Sequence, residues 1–98
     1  MDTPKRFSLG HVVATPGVLD RVSHGLVSAV TLLARHSVGD WGDISPDDRG
    51  VNEAALLSGA RLLSVYTVND TLTVWILTEA ADDDGTRAAT TLLLPDEY

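Results

Sequence analysis

Residues 39–50, GDWGDISPDDRG, place Asp40, Asp43, Asp47, Asp48 and the indole of Trp41 in one short stretch without a lysine. Carboxylates at this density can hold a hard cation, act as an acid–base pair, imitate the spacing of phosphates, or cap a helix. The calcium reading fails on spacing. Counted from Asp40, the third and fifth ligand positions fall on Gly42 and Ile44 and the twelfth on Val51. Counted from Asp43, the obligatory glycine is Asp48 and the twelfth position is Ala54. The run Asp82, Asp83, Asp84 fails too, because Arg87 falls where the glycine belongs. There is no cysteine, and His11, His24 and His36 are far apart, so neither a metal nor a cofactor is expected.

Covalent catalysis has no better footing. Ser58 and Ser64 lie in no nucleophile elbow, and the chain has no glycine-rich phosphate loop. The three histidines read as surface or helix-end residues, and the chain is expected not to be an enzyme. A third, lesser possibility is a small hydrolase or ligand-binding domain sited near His36, Asp40 and Asp43.

Part of the acidic stretch has a structural explanation. Ser45, Pro46, Asp47 and Asp48 form a helix start: a hydroxyl cap, proline at the first helical position, and carboxylates where the helix dipole favours them. That helix is expected to run to about Ser58, with Val51, Ala54 and Ala55 inward, Leu57 beside them, and Gly59 as its stop. Upstream, Thr15 and Pro16 open a short helix burying Val18, Leu19 and Val22. The segment 23–37 reads as the central helix, apolar over Leu26, Val27, Ala29, Val30, Leu32, Leu33 and Ala34, and therefore packed on more than one side.

Strands frame these helices. FSLGHVVA (7–14) has strand composition weakened by Gly10. Residues 60–79 form a hairpin about Asn69 and Asp70, and a third strand, ATTLLL, ends at Pro95. A regular two-residue turn pairs Tyr66 with Thr73 and Ser64 with Trp75. It sends Leu63, Val65, Leu72, Val74 and Ile76 to the core and leaves Tyr66 and Trp75 together on the other face. The fold class is α+β: an antiparallel β-meander of three C-terminal strands plus an N-terminal strand, covered on one face by two to three helices, in one domain over 1–98. Trp41 is either a plug under its loop or a contact residue; Tyr66 and Trp75 are a candidate hot spot.

Charge narrows the partner. The net charge is −7, and it is unevenly spread. Residues 1–36 carry two carboxylates against four cations, leaving +2; residues 37–98 carry twelve carboxylates against three arginines, leaving −9. Such a chain cannot displace counterions from phosphates, so direct nucleic-acid binding is excluded and a basic protein fits better. No apolar stretch reaches the roughly 20 residues of a membrane span, and no signal peptide is recognised, so a cytoplasmic location is expected.

The motifs RHSVGDWGD, NEAAL, GARLLSVY, WILTEA and TTLLLPDEY, spanning residues 34–98, resemble a family of short bacterial proteins often carried on plasmids and other mobile elements. The connector ADDDGTRAA is longer here than in that pattern. The resemblance implies a mobile-element context, in which small acidic proteins commonly act against host defence as anti-CRISPR or anti-restriction factors. The expected function is inhibition or modulation of a basic, nucleic-acid-handling protein. Its expected contacts are Asp40, Trp41, Asp43, Asp47 and Asp48, with Asp82, Asp83 and Asp84. The alternative is an oligomeric module that forms a homodimer through Tyr66 and Trp75.

Overall fold

In the computed structural model, which describes residues 4–98, strand β1 (His11–Ala14) leads into helices α1 (Pro16–Ser23), α2 (Ala29–Ser37) and α3 (Pro46–Ser58). Strands β2 (Leu62–Asn69), β3 (Leu72–Thr78) and β4 (Ala89–Leu93) follow, and a single 3-10 turn, Pro95–Glu97, ends the chain. Helices α1 and α3 start where the sequence says they should, and α2 starts later, after Ser28. The hydroxyls of Thr15, Ser28 and Ser45 accept hydrogen bonds from the amides of Val18, Thr31 and Asp48, and Pro16 and Pro46 open two of the helices. Gly59, at φ +84°, closes α3. Because Ser45 relieves the free amides of α3, Ser45→Ala is expected to lower the stability to urea by about 1 kcal/mol.

The class is α+β, as expected, but the sheet is mixed. Its order is β1-β4-β3-β2, with β1 parallel to β4 and the other pairs antiparallel. The direction of β1 is set at its exit. The amide of Thr15 donates to the carbonyl of Leu92, and the Glu97 carboxylate accepts from both the Thr15 hydroxyl and the Gly17 amide. The C-terminal ends of β1 and β4 must therefore lie side by side, which makes the pair parallel. β1 is also shorter than 7–14: Gly10 turns to φ +63°, and a side chain there would collide with the carbonyls of Arg87 and Ala88.

The hairpin register departs from the expected one by one residue on β2. The ladder shifts between Thr67 and Asn69, so Tyr66 faces Val74 and Val65 faces Trp75. The shift arises at the turn, where the side-chain oxygen of Asn69 accepts from both the amide and the hydroxyl of Thr71. One extra residue reverses the faces of a strand. Leu62, Ser64 and Tyr66 consequently point inward with Leu72, Val74 and Ile76, while Leu63 and Val65 join Trp75 and Leu77 on the outer face.

The inner face carries the main core, Val18, Leu32, Tyr66, Leu72, Val74, Ile76 and Leu92. A second cluster of Trp41, Ala55 and Leu62 lies under α3, joined by Phe7, Ile44 and Leu56. Three helix readings are corrected here, the first being Leu19 of α1, which is exposed and not buried. α2 begins only after Ser28 and packs on one side, through Leu32, His36 and Ser37, leaving Leu26, Val30 and Ala34 exposed. α3 buries Asn52 and Ala55, whereas Val51, Ala54 and Leu57 are exposed, Leu57 at 93%. In α2 and α3 the buried stripe includes a polar residue, His36 or Asn52, that composition alone sends outward.

Candidate functional site

The acidic loop is first of all the closure of a sheet edge. The outer edge of β2 would offer free amides and carbonyls. Asp43 donates its amide to Val65, Val65 donates to the carbonyl of Trp41, and the Asp43 carboxylate accepts from the amide of Thr67. The Asn52 side chain meets both the carbonyl and the amide of Leu63, at 2.8 and 3.2 Å. The close approach at residue 42 requires glycine: φ is +77°, and a Cβ would fall on the Val65 carbonyl oxygen.

Two of the expected contact residues are thereby withdrawn from the surface. Trp41, 1% exposed, stacks on Phe7, meets His36 edge-on and donates its indole N–H to Glu53 at 2.8 Å. Tyr66 is equally buried and donates its hydroxyl to the carbonyl of Asp40 at 2.5 Å. Its ring lies 4.5 Å beneath the Arg35 guanidinium. Burial pushes the Tyr66 phenol up to about 12. The expected dimer face of Tyr66 with Trp75 does not exist, because the bulge puts them on opposite sides of the sheet.

Asp40 is neutralised within the fold. Arg35 holds it through Nε and Nη2 at 2.7 and 3.3 Å, which keeps the Asp40 carboxyl below its ordinary range, helped by the amide of Gly42. Glu53 is held low likewise, first by Arg6 and then by the Trp41 indole. Asp47 and Asp48 remain exposed on the first turn of α3. Asp82, Asp83 and Asp84 lie in the connector beyond the other end of that helix, where the amide of Ala81 donates to the carbonyl of Gly59. The Asp82 carboxylate is engaged with the amides of Asp84 and Thr86. A 13-residue helix is about 20 Å long, so the free carboxylates form two poles and not one field.

His36 likewise serves the interior. His36 is fully buried, with Nδ1 2.5 Å from the Ser64 hydroxyl and Nε2 2.8 Å from that of Thr78. Thr78 in turn meets Thr90 at 2.7 Å, and Thr90 donates to the carbonyl of Leu9. A carbonyl can only accept, so the proton order is fixed from that end. Thr90 donates to Leu9, Thr78 to Thr90 and His36 Nε2–H to Thr78, while Nδ1 accepts from Ser64. The chain of donors fixes the proton on Nε2, and burial keeps the imidazole neutral by drawing it down to about 4. His36 does not share a cleft with Asp40 and Asp43, and Ser64, wholly enclosed, offers its oxygen to no substrate in this conformation. Among the described residues no three His, Asp or Glu side chains converge as a metal would need.

The outer sheet face also stays open. Leu63, Val65, Trp75 and Leu77 are half-buried there, and the Tyr98 ring packs on Trp75 at 5.6 Å and 63°. Arg61 donates to the Tyr98 hydroxyl at 2.9 Å. A cleft of about 250 Å³ continues this surface toward α3, lined by Ile44, Asp48, Val51, Arg61, Leu63 and Val65. The result is an apolar, aromatic centre with Asp48 at one rim and Asp47 beside it on the first turn of α3. Of the expected residues this surface unites Trp75 and Asp48. It adds Arg61, Tyr98, Leu63 and Val65, which the sequence would have disclosed only with the bulge in place. The chain matches no protein-family model, no curated protein and no solved structure. No helix among the described residues is long and apolar enough to cross a membrane.

Proposed function

We propose that this chain is a non-enzymatic binding protein that engages a basic, nucleic-acid-handling protein through the outer sheet face and its acidic rim. The observation that carries the reading is the position of Asp48, without an ion-pair partner among the described residues, in the cleft beside Leu63 and Val65 of the face that holds Trp75 and Tyr98, with Asp47 next to it on the first turn of α3. The aromatic centre supplies desolvation energy, and the two carboxylates select a cationic partner and steer its approach. A groove that holds phosphates offers the complementary surface, so occupation of it would inhibit or modulate its owner. In biological terms this is the role of a counter-defence factor, anti-CRISPR or anti-restriction, of a mobile element. That last step rests on composition and on the family resemblance, and Asp82 to Asp84 supply a second contact pole.

The test is capture of host proteins on the immobilised chain at about 0.05 M and about 0.5 M salt, followed by an assay of nucleic-acid binding by whatever is retained. A basic protein held at low salt and blocked from its nucleic acid is the expected result. Trp75→Ala should weaken the complex by about 2 kcal/mol, roughly thirtyfold in affinity. Asp47→Lys with Asp48→Lys should steepen the loss and abolish its salt dependence. Retention indifferent to both variants removes the reading.

A further inference from the structure

The two edges of the sheet are treated differently. The β2 edge is closed residue by residue, by Asn52 on Leu63, the 41–43 loop on Val65 and the Asp43 carboxylate on Thr67. β1 has no such cover. Its inward amides are those of His11 and Thr15, bonded to Ala88 and Leu92, so by alternation Val12 and Ala14 direct their N–H and C=O groups outward. Among the described residues nothing bonds to them. Nor does the strand carry the lysine, proline or bulge with which exposed edges are usually blunted. Val12 and Val13 are 46% and 49% exposed, β-branched, and on opposite faces.

We infer that β1 pairs antiparallel with the β1 of a second copy, joining two four-stranded sheets across a two-fold axis at Val13. The register follows from the chain itself. Gly10 turns away at φ +63° and Pro16 has no amide, so Val12 and Ala14 are the residues with outward hydrogen-bonding groups to offer. Only antiparallel pairing about Val13 lets each Val12 exchange bonds with the Ala14 of the other copy, and that pairing closes as a dimer. Charge agrees with the choice of a second copy. Two chains of −7 repel, yet β1 (HVVA) and the β4 strand beside it (ATTLL) carry no carboxylate, so the copies meet on an uncharged stretch of the sheet. The contact is separate from the outer-face site, and its test needs no other protein.

In an antiparallel ladder the two Val13 residues form a non-hydrogen-bonded pair with Cα atoms about 4.5 Å apart, within disulfide range. The chain has no cysteine, so one introduced thiol reports the geometry. Oxidised Val13→Cys should run as a covalent dimer, while Val12→Cys, diagonal to its own mate, should not. Sedimentation of the wild type should show the mass doubling with concentration. Val12→Pro, which removes one outward amide from a solvent-facing edge, should raise the dissociation constant at least tenfold with an unchanged circular dichroism spectrum. A wild-type chain that stays monomeric up to about 1 mM overturns the inference. So does equal cross-linking of the Val12 and Val13 variants.

Discussion

Trp41→Ala is expected to lower the unfolding free energy by about 3–5 kcal/mol, the range for truncating a large buried aromatic. Against a typical domain total of about 5–15 kcal/mol this leaves a marginal protein. The indole fills the space between Phe7, His36 and α3, and its N–H ties down Glu53, which in turn holds Arg6. Its carbonyl is the acceptor for Val65 at the β2 edge. The loss should therefore have a local signature beside the global one. Hydrogen exchange at the amides of Val65 and Thr67 should accelerate more than at Ile76 in the middle of β3, because the 41–43 loop is what shields them. Trp41→Phe, keeping the ring and losing the bond to Glu53, should recover most of the stability. A urea midpoint unmoved by Trp41→Ala would show that the loop is not part of the folded unit.

How much of this was legible beforehand depends on the kind of signal. Local chemistry read correctly: the caps at Thr15 and Ser45, the glycine stop at Gly59, and the β2–β3–β4 meander all rest on residues that act on their immediate neighbours. The carboxylates at Asp40 and Asp43 were conspicuous for the wrong reason. Their partners, Arg35 on one side and the Thr67 amide on the other, are found only after α2 and β2 are folded together. The bulge after Thr67 leaves little mark in the sequence, yet it decides that Tyr66 is core and that Leu63 and Val65 lie beside Trp75. Arg87 is the same kind of case. It reads as a charge in an acidic turn, but it is buried, with its guanidinium capping the carbonyls of Ala55, Ala60 and Glu79. A polar residue whose partner is another element's backbone carries no periodic signature.

The functional consequence is that acidity and binding surface have to be separated. Carboxylates near the arginines and sheet edges are spent on the fold, and a stretch rich in aspartate does not by itself make an acidic surface. What remains for a partner is smaller and more mixed: two free carboxylates beside an aromatic sheet face. A mixed patch predicts an interaction that salt weakens without eliminating, because screening acts on the rim and not on the buried centre.

The same logic applied to the interior yields the strongest pH effect expected of this molecule. His36 is neutral in the fold, with a value drawn down to about 4 against 6.5 in an unfolded chain. Between those two values the unfolded state binds the proton and the folded state does not, so stability must rise with pH across that window. Read downward, the loss begins near pH 6.5 and is complete below about 4, amounting to about 3 kcal/mol. Enclosure of the ring, and not its hydrogen bonds, is why the fold cannot adapt. Protonation would put a donor on Nδ1 facing Ser64, whose hydroxyl could turn and accept, but the charge would stay enclosed by Phe7, Trp41 and the sheet. The depressed carboxylates Asp40, Glu53 and Glu97 act lower, since their contribution is present above the ordinary carboxylate range and is lost as pH falls through their folded values. Urea midpoints taken from pH 7.5 to 4.5 isolate the histidine. The wild type should weaken steadily below pH 6.5, whereas His36→Gln, which keeps a donor and an acceptor but cannot be charged in this range, should start lower and stay level. Parallel curves for the two proteins would mean that His36 is not buried in its neutral form.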